Sequence, residues 1–142
     1  MSVTAPEQRR FVLANEASVV QTPWTLNELL CHPSIVKCEH LVLLRAQMPA
    51  HGSHPFHRHP IHEEIIYILD GQAEQWVGTE RRILKPGEMA FIPKAEVHGT
   101  YNTFAEKLVF LAILSSADGC APTVVDVSDE PPWRSIRNAR QA

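Results

Sequence analysis

Short segments rich in β-branched and aromatic residues follow one another along the chain from residue 35 onward, separated by residues that favour turns. These segments are 37–47, 63–71, 72–80, 81–88, 89–93 and 107–116. Glycine, proline or aspartate marks the turns, at 49–52, 70–71, 78–79 and 85–87. None of the intervals could hold the helices of about 10 to 15 residues that connect the strands of a parallel sheet. The pattern therefore predicts an all-β domain, built as an antiparallel sandwich or a small barrel.

The two ends of the chain lack this regular spacing. Residues 1–34 are predicted to form an N-terminal arm with at most one short helix, because Thr25 and Glu28 have the spacing of a capping box. Residues 119–142 contain Pro131-Pro132 and no sustained periodicity, which predicts an extended C-terminal strap with Trp133 packed against the barrel. The predicted organisation is an arm, a β-barrel over residues 35–118 and a strap.

Composition narrows the classes of function. The chain has 142 residues, three cysteines without CxxC spacing and a formal net charge of -3 at pH 7. The odd number of cysteines predicts reduced thiols, to which we assign no role. A slightly acidic chain has no general attraction for phosphate backbones, so we do not expect nucleic acid as a partner. The sequence shows neither a signal-peptide core nor a run of 18 apolar residues, so we expect a cytoplasmic protein without a membrane partner.

Residues 54–71 contain four of the chain's eight histidines and two adjacent glutamates. Within a strand, His57 and His59 would point to the same face, with their Cα atoms about 7 Å apart. Pro60 interrupts the strand, and the next apolar run begins with Glu63 and Glu64, so a carboxylate could lie beside the two imidazoles. Both glutamates alternate in register with apolar residues, so alternation alone does not decide which of them points inward.

This segment resembles the first motif of the cupin superfamily, G(X)5HXH(X)3-4E(X)6G. His57 and His59 match its histidines, and the six residues between Glu64 and Gly71 select Glu64 as its glutamate. Four residues separate Gly52 from His57 where the motif has five, which changes the turn that enters the motif.

A later segment is similar to the second cupin motif, G(X)5PXG(X)2H(X)3N. Gly87, Pro93, His98 and Asn102 reproduce its spacing, and Ala95 stands where the motif has its second glycine. We expect that substitution to change a turn and to leave the site intact. The two motifs together span residues 52–102.

The resemblance implies a double-stranded β-helix, or jelly-roll barrel, that holds one divalent transition metal per chain, either Fe, Mn, Ni, Co, Cu or Zn. The ligands that it implies are His57, His59, Glu64 and His98. Three neutral imidazoles and one carboxylate suit these metals, and in a six-coordinate shell they leave two positions open. An open shell is typical of catalytic sites more often than of structural ones.

Side chains alternate between the two faces of a strand, which predicts the residues that line the interior of the barrel and those that face outward. Residues sharing a face with the ligands are predicted to bind a substrate, namely Ile66, Ile68, Gln75 and Thr100. An outward row needs a cover, from the arm or from a second subunit: Ile65, Tyr67, Leu69 and Trp76. The second subunit is favoured, so a homodimer is predicted. Three further histidines could form an auxiliary surface site, but they are expected instead to be exposed neighbours of the ligands or, at most, to hydrogen-bond to them: His51, His54 and His62.

The sequence is compatible with two classes of function. The favoured hypothesis is a metal-dependent enzyme that acts on a small organic molecule inside the barrel. Isomerase, lyase or cyclase chemistry needs an acid or base near the metal. The sequence offers no compelling inward-facing candidate besides Gln75 and His54, whose direction the pattern does not predict, so dioxygenase chemistry is slightly favoured. The alternative is a barrel that binds or senses a sugar or organic acid without catalysis.

Overall fold

Antiparallel strands make up most of this protein, for which a computed structural model describes residues 9–115 and 122–141. The strands are β1 (Ser18–Gln21), β2 (Leu26–Cys31), β3 (Leu41–Met48), β4 (Ser53–Arg58), β5 (Glu64–Asp70), β6 (Ala73–Val77), β7 (Glu80–Leu84), β8 (Met89–Ile92), β9 (His98–Tyr101), β10 (Leu108–Ser115) and β11 (Val125–Asp126). The helical elements of the described residues are a short 3-10 helix (Ala14–Glu16) and α1 (Trp133–Gln141).

The strands form two sheets. One sheet has six strands in the order β1-β2-β3-β10-β5-β8, and the other has five in the order β11-β4-β9-β6-β7. Sequence neighbours such as β4 and β5 lie in different sheets, so the chain crosses repeatedly from one sheet to the other. This arrangement confirms the predicted all-β double-stranded β-helix.

The apolar core lies between the sheets, and β5 shows why its sequence folds this way. Glu64, Ile66 and Ile68 are buried, whereas Tyr67 and Leu69 on the opposite face are exposed. Alternation with a period of two therefore turns Glu64 toward the interior and settles which of the two glutamates faces inward. The buried side chains around Ile66 and Ile68 come mainly from β3, β8 and β10.

The N-terminal arm differs from its prediction. The segment expected to begin a short helix is strand β2, which pairs with β3, so sheet structure begins before residue 35. Glu28 does not serve a helix cap; it lies opposite Arg45 in the β2–β3 register and forms an ion pair with it at 3.3 Å. Hydrogen bonding to the edge of β3 outweighs the weak local signal for a helix.

The C-terminal strap also differs, because it is helical instead of extended from Trp133 onward. As predicted, Trp133 packs against the barrel, where it joins Ile136 beside a buried cluster that contains Trp76. Trp76 is on the outer face of its sheet but is fully buried. The predicted boundary between barrel and strap, at 118–119, lies outside the described residues.

An apolar surface remains on the outer face of the six-stranded sheet. Tyr67 and Leu69 of β5 are exposed there, together with Met89 and Phe91 of the adjacent strand β8. The predicted homodimer through this face stays a prediction. Among the described residues, no helix has the length and apolar character needed to cross a bilayer.

Ala95 retains the backbone conformation of the glycine that it replaces in the motif, with φ of 66°. This left-handed conformation costs a residue with a Cβ about 1 to 2 kcal/mol. We expect Ala95→Gly to raise the free energy of unfolding by about 0.5 to 1 kcal/mol, since glycine removes that cost but adds freedom to the unfolded chain. Urea denaturation measures the change.

The matched control is Ala105→Gly. Ala105 is exposed in a loop, and it is not among the described residues with a left-handed φ. Glycine there should lower the free energy of unfolding, by about 0.5 kcal/mol, because it adds freedom to the unfolded chain and relieves nothing. A loss of stability in Ala95→Gly equal to that in Ala105→Gly would contradict this account of the turn.

Candidate metal centre

Three histidines and one glutamate converge between the two sheets. β4 carries His57 and leads into His59, while β5 begins with Glu64 and β9 begins with His98. One nitrogen or oxygen of each residue lies within 4.8 Å of the corresponding atoms of the other three. All four residues are buried, with between 1 and 6% of their surface exposed. The structure thus brings together the four ligands that the sequence resemblance implies.

Backbone carbonyl groups fix the orientation of the three imidazoles. Each Nδ1 lies within hydrogen-bond distance of one carbonyl oxygen: His57 with Pro55 at 2.7 Å, His59 with Thr123 at 2.9 Å and His98 with Glu96 at 3.0 Å. An Nδ1–H that donates to a carbonyl leaves the Nε2 lone pair as the metal-binding group. The backbone therefore selects the tautomer that a metal requires.

The contacts at the centre of this cluster fit a cation. The Oε1 atom of Glu64 lies 2.8 Å from Nε2 of His98 and 3.2 Å from Nε2 of His59. These separations are close to the spacing of about 3 Å between adjacent ligands around a metal with bonds of about 2.1 Å. Glu64 Oε1 and His98 Nε2 are nevertheless buried without an aligned hydrogen-bond partner among the described residues. A divalent metal would satisfy both atoms, so the donor set fits a metal centre.

The charge states of two of the four donors, Glu64 and His57, suit a metal. Burial raises the pKa of the Glu64 carboxyl, but the adjacent His59 and His98 rings lower it by more, and the net pKa is below its usual range. Burial lowers the pKa of His57 to about 2, with the nearby histidines acting in the same direction. Glu64 is thus ionised and His57 neutral at pH 7, which are the forms that coordinate metals.

A cavity of about 400 Å³ adjoins the four donors. Its walls are mainly apolar and come from strands β1, β2, β3, β5 and β10 and from the turn between β1 and β2: Val20, Trp24, Leu29, Val42, Leu44, Ala46, Ile66, Phe110, Ala112 and Leu114. Its polar side chains come from two places. His54 and Thr100 lie on the strands that carry His57 and His98, and the others lie within residues 22–32: Thr22, Thr25, Asn27 and His32. The volume lies within the usual range for sites that bind small molecules.

Comparison with known families agrees with this geometry. The family described as "Cupin domain" matches residues 44–114, which is half of the chain. This chain belongs to the cupin family. The match includes His57, His59, Glu64 and His98, so all four candidate ligands lie within the cupin domain.

Individual proteins resemble the chain over different lengths. A protein of Aquifex aeolicus is 44% identical over 64 residues, which cover 44% of this chain and 52% of the relative, so the chain spans about half of that protein. The pectin degradation protein KdgF of Dickeya dadantii is 29% identical over 95 residues, or 66% of this chain and 82% of the relative. Among solved structures, the polyketide cyclase RemF from Streptomyces resistomycificus superposes with a TM-score of 0.69 at 23% identity, over 91% of this chain and 93% of RemF. The likeness to RemF shows the fold.

In this cupin His54 lies in the cavity wall and is not the exposed neighbour of the ligands that was expected. Its ring stacks between those of Trp24 and His57, with centroid distances of 4.1 Å and 3.6 Å. Its Nε2 atom is buried and has no hydrogen-bond partner among the described residues. Burial lowers the pKa of His54 to about 4, so the ring is neutral at pH 7. Pro55 was the available sequence signal, because proline inside a strand marks an edge or a bulge.

The predicted substrate-binding residues divide into two pairs. Ile66 and Thr100 line the cavity. Ile68 packs within the apolar core, and Gln75 lies behind Thr100, whose hydroxyl donates a hydrogen bond to it at 2.6 Å. Gln75 therefore influences the cavity through Thr100. Contact of any of the four with a substrate stays a prediction.

The other two histidines of uncertain role lie outside the donor set. His51 is in an exposed turn, with a left-handed φ of 62°. His62 is buried, with Nδ1 against the carbonyl oxygen of Ser115, and its ring centroid is 6.5 Å from that of His59. Both were expected to be exposed or, at most, to hydrogen-bond to the ligands; His51 is exposed, whereas His62 is buried with its ring nitrogen against Ser115, so the expectation is wrong for His62.

Proposed function

We propose that this cupin is a metal-dependent enzyme that moves a proton on a small, largely apolar organic molecule, in an isomerisation, elimination or cyclisation. The observation that carries the proposal is the position of His54. Its Nε2 atom is buried without a hydrogen-bond partner among the described residues, and His54 lines the same cavity as the four candidate metal ligands. A buried imidazole nitrogen that makes no hydrogen bond beside a substrate cavity is a candidate general base.

The four donors and the cavity have separate tasks in this proposal. A divalent metal held by His57, His59, Glu64 and His98 would supply a Lewis acid that polarises a carbonyl or hydroxyl oxygen of the substrate. The apolar walls, such as Leu44 and Phe110, exclude water and bind the carbon skeleton.

His54 would take the proton. Stacking between Trp24 and His57 fixes the plane of its ring, so Nε2 keeps one position relative to a bound molecule. As a neutral imidazole it can accept a proton from a carbon next to the polarised oxygen and return it at another atom. This proton shuttle needs no oxidant.

The placement of His54 reverses the order of the hypotheses from the sequence. The sequence favours dioxygenase chemistry because it reveals no compelling inward-facing base, and we assign that role to His54, which lines the cavity. The likeness to RemF, a polyketide cyclase, supports the same reaction class. KdgF is a pectin degradation protein, and that name is compatible with chemistry on small organic molecules.

Proton exchange tests the proposal without knowledge of the natural substrate. Phenylacetone has an apolar ring, a carbonyl group and exchangeable protons on the carbon between them. In deuterium oxide without oxygen, the Zn(II)-loaded protein should replace those protons by deuterium, as followed by proton NMR. His54→Ala should slow the exchange by about 100-fold or more at unchanged zinc content.

The matched control is His51→Ala, which removes an exposed histidine outside the cavity and should exchange as the wild type does. Equal rates for His54→Ala and the wild type would refute the role of His54, and no exchange by the wild type would refute the proposed chemistry. Oxygen consumption by Fe(II)-loaded protein with catechols or flavonols would favour the dioxygenase. Tight binding of an unchanged ligand, without exchange or oxygen use, would favour the sensor.

A further inference from the structure

Strand β4 contains a bulge at the metal centre. Its regular pairing with β9 stops at His54 and resumes at His57, so that Pro55 and Phe56 together oppose the single residue Gly99. A Cβ on residue 99 would lie 3.3 Å from the backbone nitrogen of Phe56. The absence of a side chain on Gly99 leaves room for the extra residue.

This bulge places two histidines on one face. In a regular strand, residues three apart point to opposite faces, so His54 would point away from His57. A bulge adds one residue and reverses that relation. The two rings consequently stack at 3.6 Å in the cavity, while Phe56 points to the outer face and packs against Trp76 and Tyr101.

A side chain satisfies the backbone at the bulge. The amide of Phe56 donates a hydrogen bond to the hydroxyl oxygen of Tyr101 at 3.2 Å, and both groups are buried. Burial raises the pKa of Tyr101 to about 12, so the phenol remains un-ionised at neutral pH. The Tyr101 hydroxyl thus supplies the acceptor that a regular strand would have supplied from its neighbour.

The C-terminal helix holds Tyr101 in place. The guanidinium carbon of Arg137 lies 3.7 Å from the centre of the Tyr101 ring. Arg137 also donates two hydrogen bonds to the carboxylate of Glu74, at 2.7 Å and 3.3 Å, and Glu74 is directly opposite Tyr101 in the β6–β9 register. Trp76 donates to the same carboxylate at 2.7 Å. The paired carboxylate fixes the guanidinium over the ring.

We propose that Tyr101 is a positioning residue for the metal centre, and that Arg137 of the C-terminal helix acts through it. The hydroxyl of Tyr101 fixes the bulge, and the bulge sets the direction of His57 as a ligand and of His54 as a proton acceptor. The part that concerns His54 rests on the proposed function, whereas the part that concerns His57 depends only on the metal centre.

Tyr101→Phe removes the hydroxyl and keeps the ring. We expect the dissociation constant for Co(II), titrated by visible absorption, to rise about 10-fold, with a shift of the cobalt absorption bands. The amide of Phe56 should exchange with deuterium at least about 10-fold faster by NMR, because it loses its acceptor. Tyr67→Phe is the control: Tyr67 is the chain's other tyrosine, it is exposed on the opposite sheet, and its variant should match the wild type.

Arg137→Met provides a second variant, and it should shift the cobalt bands in the same direction by less. Because Arg137 acts through Tyr101, adding Arg137→Met to Tyr101→Phe should weaken Co(II) binding no further. Wild-type cobalt affinity and absorption bands in Tyr101→Phe would overturn the proposal, and additive losses in the double variant would overturn the role of Arg137. Failure of the proposed function would appear instead as absence of phenylacetone exchange by the wild type, with the cobalt results unaffected.

Discussion

Replacing His98 by alanine is expected to remove most of the bound metal from the purified protein. His98 is almost fully buried, its Nε2 lies 2.8 Å from the Glu64 carboxylate, and alanine has no atom that could coordinate in its place. Removal of a direct ligand should weaken binding by more than the 10- to 100-fold typical for loss of a residue that orients a ligand. After dialysis, plasma mass spectrometry should find about one metal ion per wild-type chain and only a small fraction of that in His98→Ala.

The adjacent glutamates supply a matched pair of controls for this prediction. Glu64→Gln should lower metal content, because it removes the charge of the buried carboxylate. Glu63→Gln should leave metal content unchanged, because Glu63 is exposed. Circular dichroism should show the same β-structure in all three variants, since one ligand is not a folding core. Full metal occupancy in His98→Ala, or the opposite behaviour of the two glutamates, would contradict the ligand assignment.

Replacing Gly71 by alanine is expected to lower the free energy of unfolding by about 3 kcal/mol. Gly71 has φ of 76° in the turn between β5 and β6. A Cβ there would also lie 2.5 Å from the carbonyl oxygen of Lys107 and 3.1 Å from the Cα of Leu108. Because those atoms belong to the backbone of β10 and the residue before it, the clash cannot be relieved by rotating a side chain. Urea denaturation, with the slope checked for two-state behaviour, measures the change.

Gly87 separates the two causes of that loss. It is the first glycine of the second motif and has φ of 90°, but a Cβ on it would meet no atom within 4 Å among the described residues. Gly87→Ala should therefore cost about 1 kcal/mol or less, from backbone conformation alone. If Gly71→Ala and Gly87→Ala were equally destabilising, close approach to Lys107 would not be the reason for glycine at position 71.

The sequence predicted the centre of the molecule better than its ends, for physical reasons that particular residues illustrate. Strand geometry predicts that His57 and His59 share a face, and the resemblance to the second cupin motif implies His98 as a further ligand; the structure brings the three together. Strand alternation alone did not identify Glu64 as a ligand. Its neighbours on both faces of β5 are apolar, so alternation does not separate it from Glu63; the spacing of the first cupin motif selects it, and the structure shows that its face is buried.

Nonlocal pairing explains why the N-terminal prediction was wrong. Thr25 and Glu28 carry a local signal for a helix, but the open edge of β3 lies beside them and recruits Leu26–Cys31 as a strand. That edge cannot be recognised from residues near Thr25. Sheet pairing depends on residues distant in sequence, whereas capping depends on residues three apart.

The C-terminal helix, by contrast, carried a signal that could have been used. Trp133, Ile136 and Arg137 have helical spacing and share one face toward the barrel, and proline precedes them, as is common at the start of a helix. The bulge that reverses His54 was marked in the same way by Pro55. In both places a proline marks a departure from regular strand structure.

The most direct test of the account is a crystal structure of the protein purified without added metal, with anomalous scattering measured on both sides of the absorption edge of the metal found. The account predicts one anomalous peak per chain, bound by Nε2 of His57, His59 and His98 and by a carboxylate oxygen of Glu64, at distances of about 2.0 to 2.3 Å. Strong anomalous density elsewhere, with these four side chains bound to no ion even after soaking in Co(II), would contradict it.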